Sequence, residues 1–163
     1  GFCGARCEAA TNAYVDTVRI ELPPALAFVA ASPDVEMLTK ESRGVLPSTL
    51  AYFVAVKSIN CAAYLVAAMV SGDYDRLRGG VSDFMHEPYR LPKIPGGRAA
   101  IEAGVVAGAY TGWLSGSGST VLCVAPQSES AAVAGAMQTA FGAAGLSSTV
   151  RVLAADNAGL AVE

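Results

Sequence analysis

Two apolar runs, "YTGWL" at 110–114 and "TVLCVA" at 120–125, are separated only by "SGSGS" at 115–119. Apolar, β-prone residues on both sides of a short Gly/Ser spacer predict a hairpin, and a hairpin makes its two strands antiparallel neighbours. The remaining chain must then extend that sheet and cover it.

The rest of the pattern supplies both. From Tyr14 to Leu22, Val18, Ile20 and Leu22 alternate with Thr17, Arg19 and Glu21, which predicts a half-exposed strand. Pro23-Pro24 ends it. "LAFVAA" at 26–31 is a short continuous apolar run, expected as a buried central strand. Thr39 is placed to cap a short helix carrying Glu41 and Arg43, stopped near Pro47. Ser48 is placed to cap a long one, with Leu50, Phe53, Val54, Lys57, Cys61, Tyr64, Leu65, Ala68 and Met69 at helical spacing and Gly72 as its end. A third helix is expected from Asp73, with Tyr74, Leu77, Val81 and Phe84 on one face and Pro88 at its end. "RLPKIPGG" reads as a connector, 98–107 and 129–142 as helices, and "STVRVLAA" as a last strand. The order β-β-α-α-α-α-β-β-α-β predicts an α+β fold, with helices packed on one face of a mainly antiparallel sheet. No internal repeat or linker divides the chain, so 1–163 is expected to be one domain.

Charge limits the partners. The net charge is −3, and no Lys or Arg falls between Arg98 and Arg151. A nucleic-acid surface needs concentrated cations, so no nucleic acid is expected. The charge-free stretch 58–72 falls short of the roughly 20 apolar residues that span a bilayer, and Gly and Ser interrupt 103–128. No basic start precedes an apolar run. The expectation is therefore no membrane and a cytoplasmic protein. Cys3, Cys7, Cys61 and Cys123 with one His do not make a metal-site pattern, so no metal ligands are assigned and the thiols are expected reduced and mostly buried.

Three stretches could carry chemistry. The "SGSGS" loop has no Lys and is followed by a strand, so it is neither a Walker loop nor a dinucleotide fingerprint. It fits a tight turn; equally, its unobstructed backbone N–H groups suit an anion. Arg90 lies between a helix end and a rigid Pro-containing segment, as a surface arginine or as a fork for carboxylate or phosphate. His86 beside Glu87 is a cap, a solvent-facing residue or a base. Thr39 and Arg43 share one helix face, as part of a capped surface helix or of a site.

Taken together, "SPDVEMLTKESRGVLP", "SGDYDRL", "HEPYRLPKIPG", "AGAYTGWLSGSGSTVL" and "ADNAGLAVE", in this order, resemble the second half of the homoserine kinase family within the GHMP small-molecule kinases. The resemblance runs from about Ala27 onward. It implies the ferredoxin-like sandwich of a GHMP kinase C-terminal domain. It also implies transfer of the γ-phosphoryl group of ATP to the hydroxyl of L-homoserine, in threonine biosynthesis. Arg43 and Arg90 match arginines that hold the substrate carboxylate, and Thr39 is grouped with them. Ser115, Gly116, Ser117, Gly118 and Ser119 match the Gly-rich loop beside the phosphates, with Gly116 nearest the substrate. Ser119 stands where the family usually has Pro.

The family's first half carries its "P-x-x-x-G-L-G-S-S" phosphate loop and Mg²⁺ ligands, and neither is in these residues. The resemblance therefore implies a C-terminal piece without the ATP-binding domain, inactive alone and with no tight ATP or Mg²⁺ binding of its own. The face left by that half would favour a homodimer or other association. The alternative is a non-catalytic module that binds an amino acid or dimerises.

Overall fold

A computed structural model describes residues 1–35 and 44–159. The expected helix carrying Thr39, Glu41 and Arg43 lies outside the described residues.

The strands are β1 (Phe2–Cys7), β2 (Tyr14–Ile20), β3 (Leu26–Pro33), β4 (Thr111–Leu114), β5 (Val121–Pro126) and β6 (Ser148–Ala154). The helices are α1 (Tyr52–Ser71), α2 (Glu87–Arg90), α3 (Gly97–Val106) and α4 (Ser130–Ala143). β4 and β5 form the expected hairpin, in a four-stranded sheet of order β4-β5-β3-β6 whose pairs are all antiparallel. The run β3-α3-β4-β5-α4-β6 in that strand order is the split βαβ arrangement of a ferredoxin-like sandwich. The long segment between β3 and α3 is an excursion from that unit.

Strand alternation sorts the side chains into two layers. Val29 and Ala31 of β3 and Val121, Cys123 and Ala125 of β5 pack against Ala100 and Ile101 of α3 and Val133, Met137 and Phe141 of α4. This is the helical layer expected from the sequence. Residues of opposite parity, Leu26, Phe28, Trp113 and Val124, meet Ala68 and Met69 from the end of α1 and Leu77 from a short 3-10 turn, Tyr74–Leu77. The helical layer depends on glycine for close approach. A Cβ on Gly112 would stand 2.6 Å from Cys123 Sγ, and one on Gly104 2.7 Å from the same atom.

Three local expectations differ. α1 starts at Tyr52, after Ala51 in an extended conformation, with no side-chain cap. Ser48 does not cap it because it lies three residues before the N-cap, Ala51, and the exposed first turn is open to water. The helix expected from Asp73 to Pro88 stops at Leu77, because Gly79 follows at φ 67° and Gly80 packs against the Tyr64 ring. Pro88 does not end a helix but sits in the first turn of α2, where its missing N–H costs nothing.

The apolar face of α1 is largely uncovered. Tyr52 and Phe53 are each 76% exposed, and Ile59, Val66 and Val70 are exposed as well. Among the described residues, α1 is the one helix long and apolar enough to cross a membrane, with 20 residues, a mean hydropathy of 1.8 and 17% burial. It runs further upstream than the charge-free stretch, so length does not decide against a span. Its end nevertheless enters a protein core, and Ser58 Oγ accepts the Phe84 N–H at 3.1 Å. β1 and β2 form a separate two-stranded sheet on which Tyr14 and Val18 are exposed. Asn157 ties it down: its Oδ1 accepts the Leu22 N–H at 3.1 Å and its Nδ2 donates to the Leu22 carbonyl at 2.9 Å. Cys3 and Cys7 are exposed on β1 and only Cys123 is buried, contrary to the expectation of mostly buried thiols.

Candidate functional site

The Gly/Ser loop forms the tip of the β4–β5 hairpin. The Ser115 N–H donates to the Thr120 carbonyl at 2.9 Å, and the Gly118 N–H to the Ser115 carbonyl at 3.1 Å. Gly116 and Gly118 have φ of 59° and 92°, which disfavours side chains there. Ser115 and Gly116 are exposed, and nothing lies within 4 Å of where a Gly116 Cβ would be. The tip is thus bare and open at Ser115 and Gly116.

The "HEPYR" stretch is ordered by a residue that the sequence reading passed over. Asp83 Oδ2 accepts the His86 N–H at 2.8 Å and the Glu87 N–H at 2.5 Å, and Oδ1 accepts the Met85 N–H at 3.1 Å. Burial pushes the Asp83 carboxyl up, but these three N–H groups, aided by the nearby His86, outweigh it and hold it below the ordinary carboxylate range. His86 precedes α2, its carbonyl accepting the Tyr89 and Arg90 N–H groups at 3.1 Å each, so its backbone has the capping place. Its Nε2 lies 3.8 Å from Asp83 Oδ2, and its buried Nδ1 has no hydrogen-bond partner among the described residues. Arg90 closes α2 and is half-buried.

Glu87 joins this helix to the loop. Its Oε2 accepts the Leu114 N–H at 3.2 Å, and its Oε1 faces Arg98 Nη2 at 3.6 Å. Leu114 immediately precedes the Gly/Ser loop. A cavity of about 480 Å³ opens beside this junction, between α1 (Cys61, Leu65), the 81–88 segment (Phe84, His86, Glu87) and β4 (Trp113, Leu114). Neither Arg90 nor residues 115–119 are among its described lining residues. Of the site residues read from sequence, Arg90 and the loop at 115–119 are therefore carried by directly bonded neighbours. Thr39 and Arg43 lie outside the described residues. An Asp a few residues before a helix start was the available signal for Asp83; nothing in the sequence marked Glu87 as the partner of a strand N–H.

Residues 65–143 match the family model described as GHMP kinases C terminal. The homoserine kinase of Moorella thermoacetica is 42% identical over 144 residues, which is 88% of this chain and 48% of that protein. Over residues 65–143 the chain carries the C-terminal region of the GHMP kinases. The homoserine kinase of Microchaete diplosiphon is 40% identical over 131 residues, 80% of this chain and 43% of the relative. The crystal structure of homoserine kinase from Cytophaga hutchinsonii superposes on this GHMP kinase region with a TM-score of 0.79 at 30% identity, covering 84% of this chain and 44% of that one. The chain thus spans about half the length of the relatives it matches.

Proposed function

We propose that this chain is the C-terminal part of a homoserine kinase, which moves the γ-phosphoryl group of ATP to the side-chain hydroxyl of L-homoserine. The observation that carries the reading is the junction at Glu87, which holds the helix ending in Arg90 against the strand that delivers a bare Gly/Ser loop. The names of the relatives support the same reading. Arg90, joined by Arg43 and Thr39, takes the amino-acid carboxylate, for which a planar guanidinium is well shaped. The loop lines the phosphates, with Gly116 nearest the substrate. Phosphoryl transfer needs little covalent help and depends on positioning and charge stabilisation.

Among the described residues, no group of three or more His, Cys, Asp or Glu side chains is placed to hold a metal ion. No Mg²⁺-dependent step is therefore assigned to them. In this proposal a phosphate-binding half supplies the ATP and Mg²⁺ contacts, and the chain alone is inactive. That half covers the exposed apolar face of α1 and the outer face of β2, which favours it over a free surface.

The test is a coupled ADP-release assay on this chain joined to the half of a homoserine kinase that it lacks. Homoserine-dependent turnover is expected from the joined protein and none from the chain alone. Arg90→Ala should raise the homoserine KM by about tenfold or more, as loss of a charged hydrogen-bond partner does. An unchanged KM would remove Arg90 from the site. The competing reading, a dimerisation module, predicts a stable dimer of this chain in light scattering and no homoserine-dependent turnover from the joined protein.

A further inference from the structure

Among the described residues β4 is an edge strand, with no neighbouring strand on one side of its backbone. At its last residue that role is taken by a carboxylate: Glu87 Oε2 accepts the Leu114 N–H at 3.2 Å. The Glu87 side chain is only 12% exposed. Its second oxygen faces Arg98 at 3.6 Å, on the first turn of α3. Three elements therefore meet on one side chain: α2, which ends in Arg90; β4, which runs into the loop; and α3, which underlies the sheet. Asp83, by ordering the Glu87 N–H, sets the direction of that side chain's backbone.

We propose that Glu87 is a positioning residue: it fixes the separation between the Arg90 guanidinium and the Gly/Ser loop. A substrate held by its carboxylate at one end and phosphorylated at the other needs that separation constant, because small displacements of reacting groups cost rate steeply. The inference rests on the roles given above to Arg90 and the loop. A carboxylate suits the task because it accepts the strand N–H and the guanidinium at once, which an amide or hydroxyl does less strongly.

The experiment is site-resolved amide hydrogen exchange on the full chain, comparing Glu87→Ala, Glu87→Gln and Glu87→Asp. Glu87→Ala should speed exchange at Leu114 and the loop amides by about tenfold, while Met137 and Phe141 in the core stay protected. Glu87→Gln keeps an acceptor oxygen of the same reach and should restore most of the protection at Leu114. Glu87→Asp keeps the charge but loses the reach, so it should behave like Ala; it also serves if the Ala variant does not fold. Unchanged Leu114 exchange in folded Glu87→Ala or Glu87→Asp overturns the proposal. Homoserine-dependent ADP release by the joined protein is measured beside it. Its absence counts against the substrate reading alone, whereas unchanged exchange counts against the tether alone.

Discussion

The hydroxyls of Ser32 and Thr120 lie 2.7 Å apart, joining the end of β3 to the residue that closes the Gly/Ser loop. The contact is half-buried, and either hydroxyl can donate. Ser32→Ala should cost about 1 kcal/mol, the usual net worth of one such bond, and lower the Tm by about 2–4 °C. Thr120→Val should cost about the same. In calorimetry the double variant should cost clearly less than the two single costs added, since both remove one interaction. Full additivity would show that the two hydroxyls act independently.

Asp83 gives the 81–90 segment an acid limit. Its carboxyl is held below the usual range, so the unfolded chain binds the proton more readily. Stability from Asp83 is thus present above the ordinary carboxylate pKa and is lost as pH falls through the lowered folded value. The amide signals of Met85, His86 and Glu87 should shift together in a pH titration below about 4. Asp83→Asn should flatten that limb, and Asp83→Ala should destabilise by about 0.5–2 kcal/mol, as lost capping side chains do. Retention of all three amide shifts in Asp83→Asn would contradict the assignment.

The cysteines should divide by place. Burial pushes the Cys123 thiol up to about 12, whereas Cys3 and Cys7 are exposed on β1. The thiolate is the reactive form, so iodoacetamide at pH 8 should modify Cys3 and Cys7 and leave Cys123 until the chain is denatured. A raised folded pKa also means that the Cys123 contribution is intact below pH 9 and is lost as pH rises towards 12. Peptide mass mapping reads the first expectation, and alkaline unfolding of Cys123→Ala against the parent reads the second.

Two glycines near the loop should answer substitution differently. At Gly112 an added Cβ would meet Cys123 Sγ at 2.6 Å and the Leu122 carbonyl oxygen at 2.8 Å, and backbone cannot yield cheaply. Gly112→Ala should cost about 1–3 kcal/mol through overpacking. At Gly116 the space is empty but φ is 59°, so Gly116→Ala should cost about 1–2 kcal/mol through backbone conformation alone. Denaturant melts measure both costs. Adding Cys123→Ala should recover part of the Gly112→Ala loss and none of the Gly116→Ala loss.

The sheet was legible because its strands carry their own punctuation. "SGSGS" between apolar runs gave the β4–β5 pair, Pro23-Pro24 and "SPD" bracketed β3, and alternation gave β2. The helices were harder wherever glycine or proline acted against periodicity. Tyr74, Leu77 and Val81 do pack in one cluster, but Gly79-Gly80 turns the chain between them, so helical spacing there reported burial and not a helix. In α1 helical spacing marked Ala68 and Met69, which are buried, but also Phe53, which is 76% exposed: periodicity places residues on one face and does not say how much of that face is covered. Asp83 and Glu87 escaped notice because their partners are backbone N–H groups, which every sequence possesses and none displays.

The excursion between β3 and α3 holds Arg90, Glu87 and Asp83, yet it also supplies Met69 and Leu77, which roof one side of the platform. Under the proposed function, substrate choice and structural cover fall to one continuous stretch of polypeptide. Engineers wishing to redirect such a protein toward another small acid can edit that stretch, but cannot excise it without stripping the shelter from Phe28 and Val124.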